Sequence, residues 1–157
     1  MKTKVMSVVC VLALLLTLTA CGGSDSQPQK SAAEIADAIY NTQTFQDTLN
    51  AIDSDMLGDY YRIDAADLTD SKVYVSGSFS TAEEIAVFQA SSSDAVENIK
   101  KAIDTRLEDL KLAFENYVPG EMTKINDPVL ITKGTTVVLV LADDTAAVSD
   151  QVNELLK

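Results

Sequence analysis

Cys21 is the residue of this sequence with the most clearly defined chemistry. It closes the segment Leu18-Thr19-Ala20-Cys21, in which small residues precede a cysteine directly after an apolar run, and Gly22-Gly23 follows it. This pattern is typical of a lipobox, in which the cysteine thiol takes a thioether-linked diacylglycerol and a lipoprotein signal peptidase then cleaves the chain before it. The pattern predicts lipidation at Cys21, which would become the first residue of the mature chain.

The segment before Cys21 has the organisation of a secretory signal peptide. Lys2 and Lys4 are followed by an uncharged, mostly apolar run from Val5 to Leu18, as in the charged and hydrophobic regions of such peptides. The run is shorter than the roughly 20 residues that a membrane-spanning helix needs. We therefore expect residues 1–20 to be removed. Two or more acyl chains on Cys21 would hold the mature protein stably on the extracellular face of the cell membrane.

The charge of the chain excludes several classes of function. The full sequence has 12 Lys and Arg, 24 Asp and Glu, and no His, a formal charge of −12. Without residues 1–20 it has ten basic and 24 acidic residues, a net charge of −14. Such a charge disfavours binding to nucleic-acid phosphates. The absence of His excludes Ser-His and Cys-His nucleophile pairs. We predict no catalytic residue, no cofactor and no nucleic-acid partner.

Carboxylates are the abundant reactive groups, and three pairs of them are adjacent in sequence: Glu83-Glu84, Glu108-Asp109 and Asp143-Asp144. Glycoside hydrolysis uses two carboxylates that face each other across a sugar ring. Neighbouring residues on a strand point to opposite faces, so an adjacent pair would need distant partners. The interpretation that we favour is that these pairs are solvated at the ends of strands and helices.

Residues 53–59 begin like a calcium-binding loop. Asp53 and Asp55 occupy loop positions 1 and 3, and Gly58 occupies position 6. Leu57 stands where a ligand is expected, however, and Asp64 stands where a bidentate Glu is usual. Capping of a short helix by Asp53 or Asp55 explains the same residues. We predict no metal site.

Aromatic residues could line a ligand-binding groove, because Tyr combines an apolar ring with a polar tip. The alternative, which we favour, is that they belong to the core and its rim. The residues concerned are Tyr60, Tyr61, Tyr74, Phe79, Phe88, Phe114 and Tyr117.

The mature chain is predicted to form one domain, residues 31–157, after a polar tether at residues 21–30. Ser31 and Glu34 form a capping box for a first helix. The spacing of Phe45, Leu49 and Ile52 suggests that this helix extends or restarts. A short helix around Tyr60 follows.

Alternating apolar residues predict strands at 72–79 and 84–90. Seven apolar residues spaced by three and four, from Val96 to Tyr117, predict a long amphipathic helix ended by Pro119-Gly120. A hairpin is expected at 129–141 around Lys133-Gly134, followed by a short closing helix. This order predicts an α+β fold with helices packed on one face of an antiparallel sheet of about four strands.

The order and spacing of several segments resemble a family of small lipoproteins from Gram-positive bacteria, domain of unknown function 4358. The segments are residues 33–39, 61–64, 83–88, 106–108 and 114–119, with the Lys133-Gly134 hairpin. Arg62 stands where we would expect Gly, so the turn there departs from the family pattern. The resemblance implies a membrane-anchored extracellular domain and brings no established activity or catalytic residue.

The sequence therefore favours a cell-surface lipoprotein that acts as a binding or interaction module in the cell envelope, with a partner of basic surface. The alternative is a solute- or cation-binding accessory lipoprotein, which a deep aromatic pocket would favour. A third hypothesis is a cell-wall enzyme that uses carboxylates, which two carboxyl groups converging in a cleft would favour.

Overall fold

The computed structural model describes residues 29–157. The predicted signal peptide, the lipidation site Cys21 and most of the predicted tether lie outside these residues. Within residues 29–157, none of the helices combines the length and the apolar character that crossing a bilayer requires.

A five-stranded antiparallel sheet is the centre of the fold. Its strands are β1 (Leu49–Ile52), β2 (Leu68–Ser76), β3 (Glu84–Ala90), β4 (Val129–Lys133) and β5 (Thr136–Leu141). They lie in the order β1-β2-β3-β5-β4. The central strand β3 pairs Glu84 with Val75 of β2 and with Leu141 of β5. The predicted hairpin around Lys133-Gly134 is confirmed as β4–β5, and Gly134 in its turn has a positive φ of 59°.

Helices cover both faces of the sheet. The helices α1 (Ala32–Thr42) and α5 (Thr145–Leu155) contribute to one buried apolar cluster. The helices α2 (Leu57–Tyr61), α3 (Ser93–Phe114) and α4 (Met122–Asn126) contribute to the other.

The α+β class and the antiparallel sheet are confirmed, but the prediction of helices on one face is wrong, and the strands number five. The physical reason is that β5 is buried at every position and β3 at every position except Gln89. A strand that is apolar on both sides needs a packing layer on each face of the sheet.

The long helix α3 confirms the apolar stripe over most of its length. Six of the seven predicted positions are buried, from Val96 to Phe114. The seventh, Tyr117, is 83% exposed, because the helix ends at Phe114 before its last predicted turn. The side chain of Ser92 accepts a hydrogen bond from the backbone amide of Ala95 and so caps the helix.

The predicted extension of α1 through Leu49 and Ile52 is wrong. These residues form β1, which pairs with the edge of β2, Leu49 lying opposite Ser76. Their apolar spacing is compatible with a helix, but the partner strand supplied by distant sequence decides the structure.

The chain enters the sheet at the end where β3 finishes. The side-chain amide of Gln89 donates to the carbonyl of Lys30 at 2.7 Å, and Gln29 contacts Thr136 at the start of β5. The backbone amide of Ala32 donates to Asp70 at 2.7 Å, which ties the start of α1 to β2.

Candidate functional site

Several loops and helix ends meet at the opposite end of the sheet, where β3 begins, which we call the glutamate end. They are the loop before β1, residues 43–48; the β2–β3 loop, residues 77–83; residues 142–144 after β5; the end of α3; and α4. Side chains that are distant in sequence are thereby brought close together.

Glu83 and Glu84 give this end its name, and both are buried. Each is only 1% exposed. The prediction that this pair is solvated is therefore wrong. Buried carboxylates need counter-charges or hydrogen-bond donors, because desolvation of an unpaired charge is very costly. Each of the two glutamates meets that need with a different set of partners.

Glu84 is paired with Arg106 of α3 and with the hydroxyl of Tyr61, which donates to the carboxylate. We call these three residues the Arg106 cluster. The distance from Arg106 Nη2 to Glu84 Oε2 is 2.6 Å. Burial opposes the charge on Arg106, but the attraction of Glu84 outweighs it, so the pKa of the guanidinium is raised. Burial and the neighbouring Glu84 carboxylate hold the pKa of Tyr61 well above its usual value.

Glu83 belongs to a second group, which we call the Lys124 cluster: Glu83, Glu121, Lys124 and Asp143. Lys124 Nζ lies 3.0 Å from both carboxylate oxygens of Glu121, 3.3 Å from Asp143 Oδ1 and 3.8 Å from Glu83 Oε1. Burial alone would lower the pKa of the Lys124 ammonium, but its carboxylate partners outweigh burial and raise it. The cluster joins the β2–β3 loop, α4 and the residues that follow β5.

The carboxylate of Glu83 also fixes the loop before β1. The backbone amides of Gln46 and Asp47 each donate to it at 2.9 Å, one to each oxygen. Thr81 donates to the same carboxylate at 3.1 Å. Within the described chain, no buried side-chain nitrogen or oxygen lacks a hydrogen-bond partner, so each buried oxygen of these carboxylates has at least one.

Asp47 holds the β2–β3 loop from the outside. One of its oxygens accepts hydrogen bonds from the hydroxyl of Ser76 at 2.5 Å and from the hydroxyl and backbone amide of Ser78 at 2.6 and 2.9 Å. These bonds, led by that from Ser76, hold the pKa of Asp47 well below its usual range. Gly77 is also required, because a Cβ there would lie 2.9 Å from the backbone carbonyl oxygen of Thr48.

A pocket lies between this fixed loop and α3, which we call the aromatic pocket. Its volume is about 250 Å³. Four aromatic residues line it, Tyr60, Phe79, Phe114 and Tyr117. The buried residues Glu83 and Glu84 and the half-buried Arg106 also belong to its lining. This volume is below the roughly 300–1,000 Å³ typical of pockets for drug-sized ligands. A small molecule, or one side chain of a larger partner, fits such a space.

Phe79 is an unusual residue in the wall of this pocket. It is 69% exposed and has a φ of 58°, in the left-handed region. That conformation costs an L-residue about 1–2 kcal/mol. Because the ring of Phe79 is mostly exposed, its packing in the folded chain offsets little of this cost.

The seven aromatic residues singled out in the sequence are divided by the fold. Tyr60, Phe79, Phe114 and Tyr117 share the pocket, which fits the groove hypothesis. Tyr61 and Phe88 form an edge-to-face pair in the core, with ring centroids 5.1 Å apart, which fits the core interpretation. Tyr74 lies on the other face of the sheet and stacks on Tyr40 at 5.0 Å.

The remaining carboxylate pairs have separate roles. Asp144 accepts from the backbone amide of Ala147 and caps α5, while its neighbour Asp143 joins the Lys124 cluster. Asp109 pairs with Arg62 at 2.7 Å on the surface, and its neighbour Glu108 is exposed.

Asp53 precedes a helical turn without a side-chain capping bond, so capping by Asp53 is not seen. In residues 29–157, no group of three or more metal-binding side chains is arranged to hold an ion.

Sequence reasoning missed the counter-charges Arg106, Glu121 and Lys124, and the loop anchor Asp47. One signal could have identified Arg106. It follows Ile103 by three residues and precedes Leu110 by four, so a charged residue stands beside the apolar stripe of α3. A charge at such a position indicates a buried partner.

Comparison with known proteins gives a family and no close relative. A family model described as "Domain of unknown function (DUF4358)" matches residues 41–142. The matched range contains all four aromatic residues of the pocket and every member of the two charged clusters except Asp143, which is the next residue after it. No curated protein and no solved structure matches the chain.

Proposed function

The chain belongs to the family described as domain of unknown function 4358, and we propose from its own geometry that it is a binding module of the cell envelope. In this proposal a lipid on Cys21 anchors it to the membrane, and the aromatic pocket takes a small ligand or one group of a larger partner. Of the alternatives weighed from the sequence, the pocket favours the solute-binding one.

The observation that carries this proposal is Phe79. Its left-handed backbone and 69% exposure are both unfavourable for a phenylalanine, and its ring lines the pocket. Strained residues persist where the surrounding structure determines them, and they cluster at ligand-binding sites. A ligand that covers the ring would bury the apolar surface that the folded chain leaves in water.

The loop that carries Phe79 supports the same conclusion. Asp47 binds Ser76 and Ser78 on one side of it, and Glu83 receives backbone amides on the other. A pocket wall held in this way loses little conformational freedom when a ligand binds, which favours affinity. The fixed loop is what we expect of a binding site built in advance of its ligand.

The carboxylates favour binding over catalysis. Acid–base catalysis needs a carboxyl group free to exchange a proton with the substrate. Glu84 is occupied by Tyr61 and Arg106, and Glu83 by two backbone amides and Lys124. Their present partners give both glutamates a structural role, and we propose no catalytic residue.

The anchor is tested by replacing its cysteine. Cys21→Ser should abolish incorporation of radiolabelled palmitate and release the protein from membranes. Cys10→Ser is the matched control, because Cys10 lies in the predicted signal peptide and should leave labelling unchanged. Undiminished labelling of the Cys21→Ser variant would contradict the anchor.

The pocket is tested in living cells with a photoreactive amino acid, p-benzoylphenylalanine. At Tyr117, on the rim of the pocket, it should form an adduct with the bound molecule, seen as an added mass in the purified protein. At Leu112, which is 73% exposed on α3 but lies away from the pocket, it should form none.

Substitution of Phe79 by Ala should suppress the adduct at Tyr117, since it removes one wall of the pocket without touching the core. Equal adducts at Tyr117 and Leu112, or an adduct unaffected by Phe79→Ala, would contradict the pocket as the binding site.

A further inference from the structure

The charge at the glutamate end is unbalanced. The hydrogen-bonded groups there include five carboxylates, those of Asp47, Glu83, Glu84, Glu121 and Asp143. Two cations oppose them, Arg106 and Lys124, so the network has a net charge of −3. The aromatic pocket lies against this network, and Glu83 and Glu84 form part of its wall.

Two further features of the pocket favour a positive ligand. Ala113 and Phe114, in the last turn of α3, line it, so the negative end of a 22-residue helix is directed toward this region. The faces of aromatic rings also attract cations. The ring of Tyr60 already shows this behaviour, with the guanidinium carbon of Arg106 5.3 Å from its centroid.

Arg106, the basic residue in the lining, does not reverse this preference. Its guanidinium is held against Glu84 by contacts of 2.6 and 3.3 Å to one carboxylate oxygen. The pair is therefore locally neutral, and the excess negative charge of Asp47 and the Lys124 cluster is left uncancelled.

The hydrogen bonds that Glu83 and Glu84 already accept restrict the kind of cation that can bind in the aromatic pocket. A primary ammonium is strongly hydrated and needs acceptors to replace its water. The carboxylates of Glu83 and Glu84 already accept bonds from backbone amides, Tyr61 and Arg106. A quaternary ammonium has no N–H donor and needs no acceptor, so negative potential and aromatic walls suit it.

We propose that the aromatic pocket recognises a quaternary ammonium group through Tyr60, Phe79, Phe114 and Tyr117 and the negative potential of the glutamate end. This inference rests on the proposed function and specifies its ligand class. A volume of about 250 Å³ accommodates a trimethylammonium head with a short chain.

The test uses the full-length chain in a maltoside detergent, which has no ammonium group. Choline is the probe, and its uncharged isostere 3,3-dimethylbutan-1-ol is the matched control. The five tyrosines of the chain are replaced by 3-fluorotyrosine and followed by ¹⁹F NMR. Tyr60 and Tyr117 report on the pocket, while Tyr40 and Tyr74, on the other face of the sheet, are internal controls.

Choline should shift the Tyr60 and Tyr117 signals saturably, leave those of Tyr40 and Tyr74 in place, and bind at least tenfold more tightly than the isostere. N-acetyl-lysine amide should bind more weakly than choline. Phe79→Leu and Tyr117→Leu keep an apolar side chain but remove the ring, and each should weaken choline about fivefold. They should change the isostere little, and Leu112→Ala should change neither.

Equal binding of choline and its isostere would overturn the ammonium inference and leave the proposed function intact, because the pocket would then select apolar surface alone. Tighter binding of the lysine derivative would also overturn it in favour of a primary ammonium. Absence of any choline shift, combined with a Phe79-dependent adduct at Tyr117 in cells, would overturn the ligand class while retaining the pocket. Absence of the Tyr117 adduct in cells would contradict the proposed function.

Discussion

The Arg106 cluster and the Lys124 cluster begin from adjacent residues and differ in charge balance. Glu84 meets one guanidinium and one phenol, so the Arg106 cluster is neutral. Glu83 shares a single ammonium with Glu121 and Asp143, so the Lys124 cluster has a net charge of −2. Glu83 ends the β2–β3 loop and Glu84 begins β3, and the two neighbouring side chains have different partners.

Burial alone therefore does not define the role of a charge. The Arg106 cluster attaches α3 to the sheet with charges that cancel. The Lys124 cluster joins three chain segments around one cation and keeps an excess of negative charge, part of it reaching water through Asp143, whose side chain is 59% exposed. Variants that change one cluster at a time separate these roles.

The largest effect is expected from Lys124→Met. It removes the cation of its cluster and leaves Glu83 and Glu121, which are 1% and 7% exposed, without a counter-charge. Breaking a buried ion pair from one side costs about 3–5 kcal/mol. We expect a loss of about 4 kcal/mol in the free energy of unfolding, measured by urea denaturation.

Lys101→Met, at an exposed position of α3, is the control and should change stability by less than about 0.5 kcal/mol. Because the folded-state pKa of Lys124 is raised, its contribution is fully present below pH ~10.4 and is lost only as the pH rises through the folded pKa. A loss below 1 kcal/mol at neutral pH would contradict the role given to Lys124.

A slightly smaller effect is expected from Arg106→Met, because the hydroxyl of Tyr61 still donates to Glu84. We expect a loss of about 3 kcal/mol. The double variant Arg106→Met, Glu84→Gln should recover most of it, because the amide oxygen can accept from Tyr61 without carrying a charge. Additive losses in a double-mutant cycle would show that the two residues are not coupled.

Unlike the carboxylates of the two clusters, Asp47 is held by hydroxyl and amide donors and not by a cation. Its pKa is lowered in the folded state, so its stabilisation is present above pH ~4 and is lost as the pH falls through the folded value. Asp47→Asn should lower stability at pH 7 and flatten the acid limb of the stability profile. Asp53→Asn is the control and should retain the wild-type profile, since Asp53 makes no capping bond.

The smallest effect concerns the exposed pair Arg62–Asp109, the solvent-accessible counterpart of the buried clusters. Arg62 has a φ of 55° at the end of α2, where glycine is the favoured residue. Arg62→Gly and Arg62→Ala both remove the ion pair, but only Gly relieves the backbone. Gly should therefore be more stable than Ala by about 1 kcal/mol in thermal unfolding. Equal stabilities would contradict strain at this turn.

The sequence predicted the elements whose pattern is local. Strand β3 has the predicted bounds, and the buried stripe of α3 follows the predicted spacing as far as Phe114. The departure at Arg62 also has a structural counterpart in its positive φ. Local propensity and apolar periodicity are sufficient in these regions because they agree with the tertiary fold.

Pairing between distant residues could not be predicted in the same way. Leu49 and Ile52 became a strand because β2 offered an edge, and Glu84 became buried because Arg106, 22 residues later, could neutralise it. The aromatic residues were identified from the sequence, but their division between core and pocket depends on where α3 ends. That division leaves Tyr117 at the rim.

The point where the chain enters the domain, at Gln29 and Lys30, and the aromatic pocket lie at opposite ends of the sheet. These residues contact the sheet where β3 finishes, and the aromatic pocket lies where β3 begins, seven residues away. At roughly 3.3 Å per residue, a strand of that length spans about 20 Å. A molecule in the pocket would therefore lie about one strand length from the point where the chain enters the domain.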